Sequence, residues 1–245
     1  MNKQKLKKLN LKIKTKKNKK NKTSVALNQI KRETAARGNF AKFDVINLAI
    51  PEKINEDVNL DSLSTNFIPF GEDNLYPQYL AELKRQSSTH RSILAQKKTL
   101  SQGVGWETEN ESLQEYLEQV NPQESFREVY GNIIDDYYTF GNAFLQVVQY
   151  EGGINLYHID ATKCRVSKDQ KKVYIHPNWK QYNQTKKDMI ILPLFPNFKS
   201  KVSVIHFKDY EPTFNYYGLP DYCASLEHIA IDYEIGKYNH TRFKN

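Results

Sequence analysis

The chain has 245 residues, of which 39% are hydrophobic and 12% aromatic, and its formal net charge is +8. This length allows one substantial hydrophobic core. No run of about 18 apolar residues occurs, so neither a membrane-spanning helix nor a membrane partner is expected. The Lys-rich start is not followed by an apolar segment, which argues against a secretory signal. Cys164 and Cys223 have no Cys or His neighbours at metal-ligand spacing, so we expect a reduced, cytosolic chain without a metal site.

The positive charge is concentrated at the start of the chain. Residues 1–22 contain eleven lysines and no acidic residue, and removing eleven charges from +8 leaves −3 for residues 23–245. The composition therefore does not indicate a basic nucleic-acid-binding fold in the rest of the chain. Like charges at this density repel one another and predict a disordered tail. Three roles remain open for it: sequence-independent binding of DNA phosphates, docking on an acidic protein partner, or no specific role. The candidate DNA-binding lysines are Lys3, Lys5, Lys7, Lys8, Lys12, Lys14, Lys16, Lys17, Lys19, Lys20 and Lys22.

The next part of the chain predicts an arm and then a folded body. Residues 23–66 have scattered apolar positions and predict an extended arm with a short helix at residues 23–37. The body is expected to cover residues 67–245. Its first helix begins near Leu75 with Asn74 as the N-cap, and its second covers residues 88–101 and stops at Gly103. A short strand is expected around Trp106.

Two more helices precede the strands. Residues 111–120 predict an amphipathic helix, and Pro122 is expected to open the next one. Gly141 ends that helix, because glycine readily adopts the left-handed conformation that closes a helix. The predicted core stripe recurs at helical spacing and consists of Phe126, Val129, Ile133, Tyr137 and Phe140.

The apolar period changes to two after Asn142, which predicts strands. Three hairpins are expected: residues 144–150 with 154–159, 164–166 with 173–176, and 189–195 with 202–207. A long helix is then predicted from Leu219 toward Asn245, with Pro220 in its first turn and Gly218 supplying unusual backbone angles just before it. Helices followed by an antiparallel sheet of hairpins and a C-terminal helix predict an α+β fold.

Motifs of catalysis are missing from the sequence. No Gly-rich phosphate loop, zinc-protease motif or nucleophile elbow occurs, so no enzymatic activity and no cofactor are expected. Asp135 and Asp136 are interpreted as solvated, because adjacent helix residues point about 100° apart. His158 and Asp160 share one face of a predicted strand and are interpreted as a hydrogen-bonded structural pair. His206 is assigned a structural or interface role.

Three motifs, in this order, carry a resemblance to a known family. They are IPFGEDNLYP at residues 68–77, YTFGNAFLQVV at residues 138–148, and VIHF at residues 204–207 leading to YYGLP at residues 216–220. Over residues 67–245 the chain resembles the portal, or head–tail connector, proteins of tailed bacteriophages. A portal subunit continues into channel-lining helices and a clip, so we expect an N-terminal fragment, or a split or truncated gene.

The resemblance implies a structural role in the virion. It implies a dodecameric ring at the portal vertex, assembled in the host cytoplasm, through which double-stranded DNA is packaged and ejected. The implied partners are other copies of the chain, the terminase large subunit, the capsid and the tail connector, with no small-molecule substrate. Tyr216 and Tyr217 are candidate subunit contacts. The alternative reading is a nucleic-acid-binding accessory protein with a basic arm on an α+β body.

Overall fold

The computed structural model describes residues 65–183, 185–196 and 200–244. It confirms the α+β class: helices come first, antiparallel strands follow, and a long helix ends the described chain. The Lys-rich tail, the arm up to residue 64 and the helix predicted at residues 23–37 lie outside the described residues. Among the described residues, no helix is both long enough and apolar enough to cross a membrane.

From residue 65 onward, four α-helices precede the strands: α1 (Tyr76–Gln86), α2 (Ser88–Gln102), α3 (Glu111–Glu118) and α4 (Phe126–Phe140). Helix α2 ends at Gly103, as predicted. Helix α4 ends at Gly141 with φ of 67°, which confirms the left-handed cap. Its start was predicted too early, at Pro122, because Ser125 and Glu128 form a reciprocal capping box that fixes the first turn.

Two predictions for this region are wrong. Asn74 is not a helix cap, because its side chain turns back to accept a hydrogen bond from the Phe70 backbone N–H at 3.0 Å, and Leu75 precedes the first turn of α1 instead. Trp106 is not part of a strand. Its ring packs edge-on against Phe126 and Tyr130, at centroid distances of 4.8 and 4.7 Å.

In the part of the chain that the structure describes, six strands form two three-stranded antiparallel sheets. The first contains β1 (Asn142–Tyr150), β2 (Gly153–Ile159) and β6 (Val202–Lys208) in the order β2-β1-β6. The second contains β3 (Cys164–Val166), β4 (Lys172–Ile175) and β5 (Ile190–Pro193) in the order β3-β4-β5. The first two predicted hairpins are therefore confirmed.

The third predicted hairpin is wrong. Strand β5 pairs with β4, and β6 pairs with β1, so the two strands belong to different sheets. Just beyond the end of β5, Leu194 forms a parallel bridge with Val204 of β6. An alternating pattern identifies which face of a strand is buried, but it does not identify the strand's partner.

One continuous core joins the helices to both sheets. It includes Leu80 of α1, Phe144 and Val204 of the first sheet, and Val173 of the second, all at most 1% exposed. Helix α5 (Leu226–Lys244) closes this core through Leu226 and Ala230. The sequence predicted α5 to begin at Leu219, but a 3-10 turn at Cys223–Ser225 precedes it and Pro220 lies before that turn.

Candidate functional site

Gly141, Gly218 and Pro220, which the sequence predicted as junction residues, lie close to one another in the structure. The "junction" is the place where Gly141 and Asn142, at the end of α4, meet Asp209 and the segment 216–220 beyond β6. The two chain segments are held together by backbone hydrogen bonds such as Asp209 N–H to Gly141 O, at 2.9 Å. The junction therefore connects the helical part of the body to the approach to α5.

Asn142 is the central side chain of the junction and is 1% exposed. Its amide nitrogen donates to the carbonyl oxygens of Phe140 and Gly218, at 2.8 and 2.7 Å. Its amide oxygen accepts from the Gly218 backbone N–H at 2.9 Å and from His206 Nε2 at 3.0 Å. All four hydrogen-bonding positions of the amide are thus used. Both backbone polar groups of Gly218 are bound to this one side chain.

Glycine is required at two junction positions, for different reasons. At Gly141, φ is 67° and an added Cβ would lie 2.4 Å from the backbone carbon of Leu219. Gly218 does not have a positive φ, so the predicted need for unusual backbone angles is wrong. An added Cβ at Gly218 would instead lie 2.4 Å from Gly141 O and 2.5 Å from Asp209 N. Close approach of two backbones is the reason for this glycine.

His206 is partly buried and belongs to the hydrogen-bond network of the junction through its contact with Asn142. Its ring stacks on Phe144 at a centroid distance of 4.4 Å and an interplanar angle of 7°. Burial, with a smaller effect of Lys208, lowers the pKa of His206 to about 3. The imidazole is therefore neutral at pH 7, and its Nε2 carries the proton donated to Asn142. The structural role assigned to His206 from the sequence agrees with this placement.

The two tyrosines predicted to contact another subunit are packed inside the chain. Tyr217 is 2% exposed, stacks on Phe70 with centroids 4.2 Å apart, and donates its hydroxyl to Ile68 O at 2.6 Å. Tyr216 is 9% exposed and donates to Lys168 O at 3.0 Å. Both rings have little surface left, so a subunit contact at this place would have to use neighbouring residues. Pro220 is also buried, and its carbonyl accepts from Cys223 N–H at 3.1 Å.

Strand β3 contains a buried arginine, Arg165, that the sequence analysis did not predict. Arg165 of β3 is fully buried, and its guanidinium lies 4.9 Å from the centroid of the Trp179 ring. Burial lowers the pKa of Arg165 to about 10, so it stays charged at neutral pH. No described carboxylate forms a salt bridge with it. Its donors are satisfied by neutral oxygens of Asn74, Gln78, Thr162 and Cys164.

The acidic pair and the strand histidine are placed differently from the prediction. Asp136 is not solvated: it accepts from His158 Nε2 at 2.7 Å and from Ala161 N–H at 2.9 Å. Burial raises the pKa of its carboxyl, and the hydrogen bond from His158 opposes that shift. Asp160 does not pair with His158 but accepts from Thr162 N–H. Asp135 forms a salt bridge with Lys84 at 2.7 Å.

These side chains link elements of the fold to one another. The contact between Asp136 and His158 joins α4 to β2, and the contact between Lys84 and Asp135 joins α1 to α4.

No group of three or more potential metal ligands is found within residues 65–183, 185–196 and 200–244. The eleven candidate DNA-binding lysines lie outside these ranges, so their role stays a prediction.

Three solved structures resemble this fold. A chain of "Neck of empty GTA particle computed with C6 symmetry" matches at TM-score 0.55 and 14% identity, over 70% of this chain and 47% of that one. "Virion of native gene transfer agent (GTA) particle" gives 0.56 and 14%, over 70% and 46%. "Neck of native GTA particle computed with C12 symmetry" gives 0.55 and 13%, over 69% and 46%.

The similarity concerns the fold. The chain spans slightly less than half the length of each neighbour. No protein-family model and no curated protein matches its sequence. The chain therefore shares its fold with chains of these particles over about 70% of its length.

Proposed function

We propose that the chain is a structural subunit of a portal-type ring in a phage-like particle. The observation that carries this proposal is the shared fold with chains of gene transfer agent necks and virions, over about 70% of the chain. The portal-like motifs at residues 68–77, 138–148 and 204–220 support it independently, because they are features of the sequence and do not depend on the comparison of folds. In the structure these three segments meet at the junction and in the core around Tyr217.

A ring places a geometric demand on its subunit. Cyclic symmetry requires two different surfaces that complement each other on neighbouring copies. The neighbours were computed with C6 and with C12 symmetry, and the proposed ring has the twelve members that the sequence resemblance implies. The second half of α5 offers an apolar surface for such a contact: Ile231, Ile235 and Tyr238 are 50%, 54% and 38% exposed and recur at spacings of four and three.

The proposed role is mechanical and not catalytic. In it, double-stranded DNA passes through the ring, and the capsid, the tail connector and the terminase large subunit bind its outer faces. The junction suits a mechanical role, because the hydrogen bonds of the buried Asn142 amide fix two chain segments to each other. The proposed location is the head–tail vertex of the virion, after assembly in the host cytoplasm.

Labelling of purified particles tests the proposal. Antibodies raised against residues 65–244 are applied to particles produced by cells that express the chain, and bound gold is located by electron microscopy. We expect label at a single vertex where the tail joins the head. Label spread over the shell, label along the tail, or particles that contain no copy of the chain would each contradict a vertex ring.

The Lys-rich tail favours a second candidate, a nucleic-acid-binding accessory protein. Eleven lysines in 22 residues are sufficient to bind DNA phosphates without sequence preference. The net charge of −3 on the remaining residues weighs against it, because a dedicated binder usually has a basic folded face as well. The same particles distinguish the candidates: a bound accessory protein is removed by a high-salt wash, whereas a ring subunit stays.

A further inference from the structure

A groove lies between the loop after α2, helix α3 and the first turn of α4. Its volume is about 610 Å³. Its lining combines two kinds of side chain: Trp106, Leu117 and Phe126 supply apolar surface, and Glu107 and Glu118 supply carboxylates. Such a groove suits a ligand that has both an apolar side chain and positive charge.

The apolar wall of the groove is fixed in place but open to solvent. Trp106 is 40% exposed although its ring packs on Phe126 and Tyr130. Arg127, a basic side chain of the lining, is engaged with the loop and donates to the carbonyl oxygen of Val104 at 2.9 Å. A preformed wall of this kind avoids the ordering cost that a flexible site incurs on binding.

The rim of the groove is strongly acidic. Residues 105–126 contain six glutamates and no lysine, arginine or histidine. Glu111, Glu115 and Glu118 are exposed and recur on α3 at spacings of four and three, which places them along one side of the helix. None of these three forms a salt bridge with a described basic residue. The groove thus combines apolar surface with uncompensated negative charge.

The last turns of α5 have the opposite charge. Residues 235–244 contain Lys237, Arg242 and Lys244 and no acidic residue. Phe243 is 91% exposed, and its two neighbours in the sequence are Arg242 and Lys244. Because successive helix residues point about 100° apart, one cation lies on each side of the ring. Neither Arg242 nor Lys244 forms a salt bridge with a described carboxylate.

The two surfaces are complementary and are exposed in the same structure. Since Trp106 and Phe243 are 40% and 91% exposed, the chain's own α5 does not cover the groove. A cyclic ring needs two different surfaces that complement each other on neighbouring copies. An acidic groove with an apolar wall and a basic helix end with an exposed aromatic ring meet this requirement in charge and in shape. The second copy is therefore the occupant that the charges and the exposed rings favour.

We propose that the groove receives the end of α5 from a second copy of the chain. Phe243 packs against Trp106, and Arg242 and Lys244 lie beside Glu107 and Glu118. This contact rests on the ring proposed above and names two surfaces that close it. The aromatic anchor supplies most of the affinity, and the surrounding charges fix the orientation and exclude wrong partners. Each copy uses its groove toward one neighbour and its helix end toward the other.

Charge reversal tests the pairing of the two surfaces. The groove variant is Glu107→Lys with Glu118→Lys, and the end variant is Arg242→Glu with Lys244→Glu. Each variant alone places like charges against each other, so its self-association in sedimentation should weaken about tenfold or more. An equal mixture of the two should recover association, because the reversed groove meets the reversed end and the unchanged groove meets the unchanged end. A mixture that does not recover would overturn the proposal, as would a wild-type chain that stays monomeric at its highest soluble concentration.

A matched control makes the test specific to the groove. Glu72→Lys with Glu151→Lys changes two exposed glutamates outside the groove and alters the net charge by the same amount as the groove variant. Its self-association should stay within about twofold of wild type. Equal weakening in the control and groove variants would show that only overall charge matters, and would overturn the proposal.

Tryptophan fluorescence locates the contact at the groove. The chain has two tryptophans, and Trp179 is only 5% exposed. We expect the emission to shift to the blue as the concentration of the chain rises, and Trp106→Phe to remove the shift. Phe243→Ser should raise the concentration at half of the shift about tenfold, because the apolar contact is lost, whereas Phe243→Tyr keeps the ring and should change it little. Association without a shift, or a shift that Phe243→Ser leaves unchanged, would overturn the proposal.

Failure of this contact and failure of the vertex ring can be told apart. Vertex label on particles, together with no recovery in the mixture of charge variants, would reject the groove contact and leave the ring. Recovery in the mixture, together with label away from the vertex, would support the contact between copies and reject the vertex ring.

Discussion

The junction makes a sharp prediction at Gly218. An added Cβ there would lie 2.4 Å from Gly141 O, 2.5 Å from Asp209 N and 2.6 Å from Asp209 O. All three are backbone atoms, so no side-chain rotation relieves the clash. The same Cβ would enter the space of the hydrogen bond between Asp209 N–H and Gly141 O. We therefore expect even Gly218→Ala to force the two segments apart.

The cost follows from the contacts that are lost. Overpacking of a buried site costs about 1–3 kcal/mol, and each buried backbone group left without a partner costs about 1–3 kcal/mol. Separation of the segments would weaken the Asp209–Gly141 hydrogen bond and at least one of the two between Gly218 and Asn142. Together these give an expected loss of about 3–5 kcal/mol, a large part of a typical folding free energy.

Urea denaturation measures the effect as a lower midpoint at an unchanged m value. The control is Gly236→Ala in α5, where an added Cβ meets nothing within 4 Å, so a gain of about 0.5–1 kcal/mol is expected. Gly218→Asn should be at least as harmful as Gly218→Ala, because space and not φ is limiting. An alanine variant within about 1 kcal/mol of wild type, or an asparagine variant better than alanine, would refute this explanation.

Three other predictions concern different parts of the chain. The pKa of His206 is lowered from its ordinary value of 6.5 to about 3 in the folded chain. Between these two pH values the unfolded chain binds a proton at His206 and the folded chain does not. Acidification from pH 6.5 toward 3 should therefore destabilise the fold. His206→Gln should reduce the slope of the unfolding free energy with pH by up to about 1.4 kcal/mol per unit; an unchanged slope would contradict the lowered pKa of His206. In filter binding, the intact chain should bind DNA weakly and with steep salt dependence, and a chain starting at Thr23 should not; equal affinities at low salt would exclude the tail. Ile235→Lys should reduce association of the chain in light scattering, whereas Ile235→Leu should not, because Ile235 is 54% exposed; equal behaviour would exclude this face as a contact.

Local rules explain the features that the sequence predicted. Gly141 follows a run of helical spacing and precedes a run of alternation, and glycine is the residue that ends a helix at low cost. Gly152 and Gly153 mark the turn between β1 and β2 in the same local way. Each of these positions is decided by a few neighbours in sequence, so no knowledge of the tertiary structure is needed.

The features that were missed depend on contacts between distant residues. Asn142 and Gly218 are 76 positions apart, and nothing in either neighbourhood shows that they meet. Asp136 and His158 are 22 positions apart and lie on different elements. In the sequence, Arg165 has the pattern of an exposed residue between two apolar residues of a strand. Its burial depends on acceptors from Asn74 and Gln78, which are distant in the sequence. The pairing of β5 with β4 was missed for the same reason.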